Sequence, residues 1–420
     1  MALTKVTGGL LGNLPTGTGN VAVGDTALDS IESGAENNVA IGSAAGTAIT
    51  TGDNNVAVGS SALLANTTGH SNAAVGYRAL TTNTTAINCT ALGKDALYAN
   101  TTGGDNTGVG YNSLSVNTTG ASNTAVGVGA LDANTTADNN VAVGLNSLGA
   151  NTTGTQNVAV GIQTLLTNTT GGRNTALGTN ALLANTTASY NTAVGAQALV
   201  ANTTGEYNTV LGYDAGGGTT TGLRNVYIGA GAGFNGILTT TGSYNTLVGT
   251  FSDTSLVGSQ FVNVLGYNVT GDASYTTVGA NTNDIRAAHG VATWTTVSDE
   301  RYKKEIVDSE AGLSLINALR PRTFKYKTLG ELPETFSAYE AGSTEVFKNT
   351  QTNHGFIAQE VKAAIDADDS IKDGFRLWDD RADGSQEVGE AALIPILVKA
   401  IQEQSALITA LTARVAELEG

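Results

Sequence analysis

A glycine recurs every 17 residues, at Gly42, Gly59, Gly76, Gly93, Gly110, Gly127, Gly144, Gly161, Gly178, Gly195, Gly212 and Gly229. No other feature of the sequence narrows the fold as far. Gly24 precedes the series by 18 residues, and Gly249 and Gly266 continue it less regularly. Each glycine closes a box of the kind NVAVG, and a second box, NTT, recurs at the same step from Asn66 to Asn202. A fixed period of this length is the signature of a repeat architecture. The unit is too short for two helices, and its Thr, Val, Asn and Gly favour short strands broken by turns. One solenoid coil per repeat is therefore expected, and some fourteen coils stacked at ~4.8 Å make a rod of roughly 65 Å. Alternation in NVAVG puts both valines on one face and the alanine on the other, with the valine face expected inside. Glycine supplies backbone positions with positive φ, and stacked Asn side chains can bond from coil to coil.

Each coil offers about one Val, one Leu and several Ala, a small apolar return for ordering 17 residues. Several chains sharing their apolar faces are therefore expected. The NVAVG box resembles the repeats in the heads of trimeric autotransporter adhesins, a resemblance that covers roughly Gly19 to Gly266 and implies left-handed β-rolls packed as trimers. Near-identical repeats carry a hazard. Sliding one chain by 17 residues against its partners restores almost every contact, so mispaired states lie close in energy to the correct one. Something outside the repeat must set the register.

Charge marks where the repeat gives out. Before Ser298 there are 20 charged residues in 297, and from Ser298 onward 36 in 123. The net charge of -16 argues against a nucleic-acid partner, which would require clustered Lys and Arg. Cys89 is the only cysteine, so intrachain disulfides and a thiolate metal cage are excluded, and it fills a slot where neighbouring repeats have Asn. The opening MALTKVTGGLLGNLPTG reads as a poor secretory signal, and no run approaches the ~18 apolar residues of a membrane helix. No membrane insertion is expected. His70, His289 and His354 are scattered, and DDRADG from Asp379 has Arg381 where a calcium loop needs its second ligand. No metal and no cofactor are expected. GAGAGF after Ile228 falls in phase with the repeat and lacks a phosphate-loop lysine.

Residues 298–420 read as a small α+β domain. AGLSLINALRPRTFKYK suggests an amphipathic helix ended by Pro321 and followed by a strand, and HGFIAQEVKAAIDA a short strand running into a helix. Over 393–419, Ile394, Ile401, Ile408 and Val415 take heptad a positions, with Leu397, Gln404, Leu411 and Leu418 at d, so a coiled coil is expected. In order, TWTTVSDERYKKEI, INALRPRTFKY, HGFIAQEV and LIPILVKAIQEQ closely resemble the intramolecular chaperone domain of phage tail spikes and tail fibres, the endosialidase-type self-cleaving chaperones. The resemblance spans about residues 285–420. It implies a homotrimeric virion tail fibre made in the host cytoplasm, joined to tail or baseplate proteins and attaching to a host-surface receptor, for which a glycan is one candidate. The domain would guide folding of the rod and then be cut away.

That resemblance makes Val297–Ser298 the scissile bond, Ser298 the nucleophile and Lys303 the base of a Ser/Lys dyad acting once on its own chain. A lysine serves as base only if desolvation or neighbouring cations depress its pKa, and Arg301 and Lys304 are placed to contribute. Asp299 is expected to orient the turn. His354, Gly355, Gln359 and Glu360 form the chaperone box, where a structural or interface role is expected. A bare SDE ahead of a helix also reads as an N-cap with acidic first-turn residues, a role compatible with cleavage. The expected organisation is an N-terminal attachment segment at 1–18, the regular repeat at 19–215, irregular repeats and an adaptor at 216–288, and the chaperone and autoprotease domain at 289–420. Two other readings compete: a bacterial surface adhesin on the same β-roll, and an ice- or glycan-binding solenoid using the NTT boxes as a ladder. The rod's acids change from repeat to repeat, so a paired-carboxylate sugar-cleaving site is not expected.

Overall fold

The computed structural model describes residues 17–234, 240–291, 300, 303–368, 377–380 and 385–419. Most of the expected attachment segment, residues 1–16, lies outside them. The chain divides into two compact units, residues 1–297 and 298–420.

The first unit is a mainly β solenoid. Three-residue strands begin with Val21–Val23, Val39–Ile41 and Val56–Val58 and recur to Thr246–Val248. Each pairs in parallel with the equivalent residues of the next coil, Val39 with Val56 and Ala40 with Ala57. Seventeen of the described strands of the unit form one sheet, closed by Asn283–Ala288 running antiparallel to Tyr275–Ala280, and Asp253–Thr254 pairs separately with Thr270–Gly271. The 17-residue step is therefore the step of one coil, varied to 18 from Val21 to Val39, 20 from Val226 to Thr246 and 13 from Asn263 to Thr276.

Three columns of side chains make the coil. Asn55 shows the first: its backbone N–H and its Nδ2 both donate to Asn38 Oδ1, at 3.0 and 3.1 Å, and Nδ2 also donates to the Gly69 carbonyl at 2.9 Å. The asparagine of the NTT box makes the second, with Asn83 Nδ2 donating to Asn66 Oδ1 at 2.7 Å. These buried amides replace the backbone partners that a tight coil cannot supply. The third is leucine. Leu63, Leu80, Leu97 and their equivalents are buried in left-handed backbone with φ near 50°. The box glycines have a different cause. Gly59 sits at φ 133°, and a Cβ there would stand 2.4 Å from the Gly76 carbonyl oxygen, so no larger residue fits.

The strand faces are opposite to the sequence expectation. Ala57 is buried and Val56 is exposed, and the same holds for Ala22 against Val21 and Ala159 against Val158. A 17-residue coil encloses a narrow lumen, and Leu63 and Ala62 fill it from the facing wall. Only a methyl fits opposite, so the valines turn outward. Where the lumen widens, larger residues enter. Tyr227 is fully buried, and a Cβ on Gly216 or Gly233 would approach its ring to 2.9 or 3.2 Å.

Among its described residues the second unit has three α-helices, two short 3-10 helices and two antiparallel strand pairs. Helix α1 (Leu313–Ala318) stops before Pro321, and strand Arg322–Phe324 follows. Strand Asn353–Gly355 leads into α2 (Ala358–Asp366), and α3 (Leu393–Glu419) closes the chain. All three helices agree with the sequence reading. Leu315, Leu319, Val361, Ile365, Leu377, Leu393 and Ile396 form the core.

Candidate functional site

The C-terminal unit gathers the sequence boxes into one assembly. Strand Arg322–Phe324 pairs antiparallel with Asn353–Gly355, so that Arg322 faces Gly355 and Thr323 faces His354. The RPRTF and HGF boxes are thus neighbours in space. Glu360, in the first turn of α2, reaches back to the same strand: Arg322 Nε donates to its Oε2 at 2.8 Å, and Nη2 donates to Oε1. Arg320 adds a looser contact at 3.9 Å. The planar guanidinium matches the carboxylate in two parallel bonds. The hydrogen bond from Arg322, then its charge and that of Arg320, hold the Glu360 carboxyl below the ordinary range, and the same hydrogen bond and the Glu360 charge raise Arg322 above its own.

The last box joins through the core and through a cap. Leu393 and Ile396 of α3 pack on Leu315 and Leu319. The Glu403 carboxylate accepts the Leu313 backbone N–H at 2.8 Å, capping α1 from 90 residues away. Sequence reasoning missed both the Arg322–Glu360 pair and this cap. No periodicity links residues so far apart, and the charges alone do not single them out. Gln359 and His354 are exposed.

Of the expected cleavage site, Val297, Ser298, Asp299 and Arg301 lie outside the described residues. Lys303 is described. Its backbone N–H donates to the Glu300 carbonyl at 2.9 Å, and its side chain is exposed. Lys304 is exposed too, 3.9 Å from the Glu305 carboxylate.

Two further surfaces bear on function. Each three-residue rod strand buries its middle residue and turns its first and third outward; the first is Val, Ala or Thr, and the third residues form a line of Val, Leu and Ile along the unit, with Leu92 48% and Leu211 50% exposed. Helix α3 shows the same character. Leu393, Ile396 and Ala400 are buried, whereas the heptad residues Ile394, Ile401, Ile408 and Leu411 are exposed, Ile401 by 63%.

Residues 298–369 match the family model described as chaperone of endosialidase. No curated protein and no solved structure matches the chain. The solenoid followed by a C-terminal domain similar to that family fits the architecture of a tail fibre or tail spike with a C-terminal chaperone domain.

Proposed function

We propose that this chain is the homotrimeric fibre of a phage tail, carried on the virion and attaching it to the host surface. Its C-terminal unit sets the alignment of three rods and is then cut away. The observation that carries the reading is the outward apolar line on the rod. Parallel strands of this kind normally have both faces covered, and a line this long and regular is the face of an interface. The exposed heptad residues of α3 supply a second self-association surface in the unit assigned to alignment. A match to the chaperone family that begins at Ser298 supports placing the working boundary there.

The cut is an intramolecular acyl shift. Ser298 Oγ attacks the Val297 carbonyl carbon while Lys303 Nζ takes its proton. The carbon–nitrogen bond breaks as the ester forms, and the lysine returns the proton to the leaving Ser298 nitrogen. Water then hydrolyses the ester, leaving the Val297 carboxylate and restoring the serine hydroxyl. Lys303 takes that proton as a neutral amine, a state favoured by the neighbouring cations Arg301 and Lys304 and by any burial on assembly.

Mass spectrometry of freshly folded protein under denaturing conditions should show fragments of 297 and 123 residues. Ser298→Ala and Lys303→Ala should each leave the chain whole. Intact wild-type chain after complete folding would contradict the dyad.

A further inference from the structure

One corner of the rod changes chemistry partway along. The residue just before each buried Asn of the first ladder stands at φ between 56° and 62° in coil after coil. From Asn37 to Gln156 this column is Asn, Asn, Ser, Asn, Asp, Ser, Asn and Gln, small or flexible polar residues that include those most tolerant of left-handed backbone. It then becomes Arg173, Tyr190, Tyr207, Arg224, Tyr244 and Phe261 in successive coils. Tyr190 stacks on Tyr207 at 4.8 Å and Tyr244 on Phe261 at 5.1 Å. Arg224 lies between the pairs, 5.4 Å from the Tyr207 ring and 5.5 Å from that of Tyr244, and donates to the Tyr244 hydroxyl at 2.8 Å. Arg173 joins the column to Gln156 Oε1 at 2.8 Å and to Tyr190.

Folding alone does not account for this change. The strain of a bulky residue in left-handed backbone and the gain from an exposed ring stack are of the same size, and the preceding coils close with small polar residues. The rings add nothing to the core. Tyr190 is 40% and Phe261 49% exposed.

A second row stands on the same outward turn, three residues earlier. Thr51, Thr68, Thr85, Thr102, Thr119, Thr136, Thr153, Thr170, Thr187, Thr204, Thr221 and Thr241 are all exposed. The threonine before each has a structural task, as where Thr67 Oγ1 donates to the Thr84 carbonyl at 3.1 Å. The exposed hydroxyls make no such bond. Two positions further on, the same coils carry nine different residue types, so repetition alone does not keep the threonine.

We infer that the corner over Arg173–Phe261, with the threonine row beside it, is a binding site for an extended, uncharged polysaccharide strand. Phenol, guanidinium and threonine hydroxyl groups meet sugar hydroxyls, while ring edges and threonine methyls meet sugar C–H faces. The groups repeat at a coil rise of ~4.8 Å, comparable to one ring of an extended glycan. Fourteen acids against six bases before Ser298 disfavour a polyanion. Ice would require a plane of hydroxyls, whereas the inner threonine rank is spent between coils, leaving a line suited to a polymer. This inference rests on the attachment role proposed above.

Its test is affinity electrophoresis of the assembled full-length protein in native gels cast with dextran, mannan, galactan or alginate. Retardation is expected in at least one of the three neutral gels. Tyr190→Asn/Tyr207→Asn/Tyr244→Asn restores a residue used by earlier coils, and Thr187→Val/Thr204→Val/Thr221→Val removes hydroxyls while keeping shape. Each should weaken binding at least tenfold without changing the native mass. Retardation in alginate only, in no gel, or equally for wild type and variants overturns the site. A changed native mass also overturns it, by making the column a contact between copies. A protein that assembles and cuts normally yet binds no neutral glycan removes this inference and leaves the assembly reading standing.

Discussion

At the scale of single residues, the rod shows which substitutions a repeat tolerates. Cys89 occupies a position of the first asparagine column. Its N–H still donates to Asn72 Oδ1 at 2.9 Å, but its Sγ turns to the Gly103 carbonyl at 3.4 Å and offers the Asn106 N–H a weak sulfur acceptor in place of an amide oxygen. Burial pushes the thiol up to about 11, so this sulfur is inert packing, as its place in an Asn slot suggests. Cys89→Asn should complete the ladder. Exchanging a weak sulfur acceptor for an amide oxygen contributes up to about 1 kcal/mol, so exchange of the Asn106 amide proton should slow by up to about fivefold, and unchanged exchange would show that the column does not couple neighbouring coils. The strand residues carry the opposite lesson. Alternation in NVAVG separates two faces but does not say which is interior. The lumen decides that, because Leu63 from the facing wall leaves room only for Ala57, and no property of the NVAVG box itself records this width.

Among the elements, what was legible follows from how local the signal is. Pro321 ends α1 and the HGF box runs from strand to helix because proline and side-chain periodicity act within a few residues. The Arg322–Glu360 pair spans 38 residues and appears only once the two strands pair. It has a measurable signature. Glu360 is held below its unfolded value, so its contribution is fully present above about pH 4.3, the ordinary glutamate range, and is lost as pH falls through the lower folded value. In that window unfolding takes up protons. Glu360→Gln should reduce the uptake by up to one proton and flatten the acid limb of the C-terminal unit's stability. Glu331, also held low through its hydrogen bonds to Thr328, keeps a smaller acid response in the variant. An acid limb identical to wild type would mean the pair does not tie the strand to α2.

For the whole molecule, the consequence of the 17-residue step is that an array able to fit itself equally well one coil along does not choose its own alignment. In the proposed reading the distinct C-terminal unit, with its exposed heptad residues and its match to a chaperone family, makes that choice. A direct measurement is the distance between equivalent points on assembled copies. With Cys89→Ala and Thr136→Cys, a spin label sits at one exposed position of the threonine row. Pulsed dipolar spectroscopy on protein folded from the full chain should give a single narrow distance. The same label on a chain ending at Val297 should give a broad or multiple distribution, with components displaced along the rod by multiples of ~4.8 Å. One narrow distance, identical in both, would show that the rod aligns itself and would contradict the account.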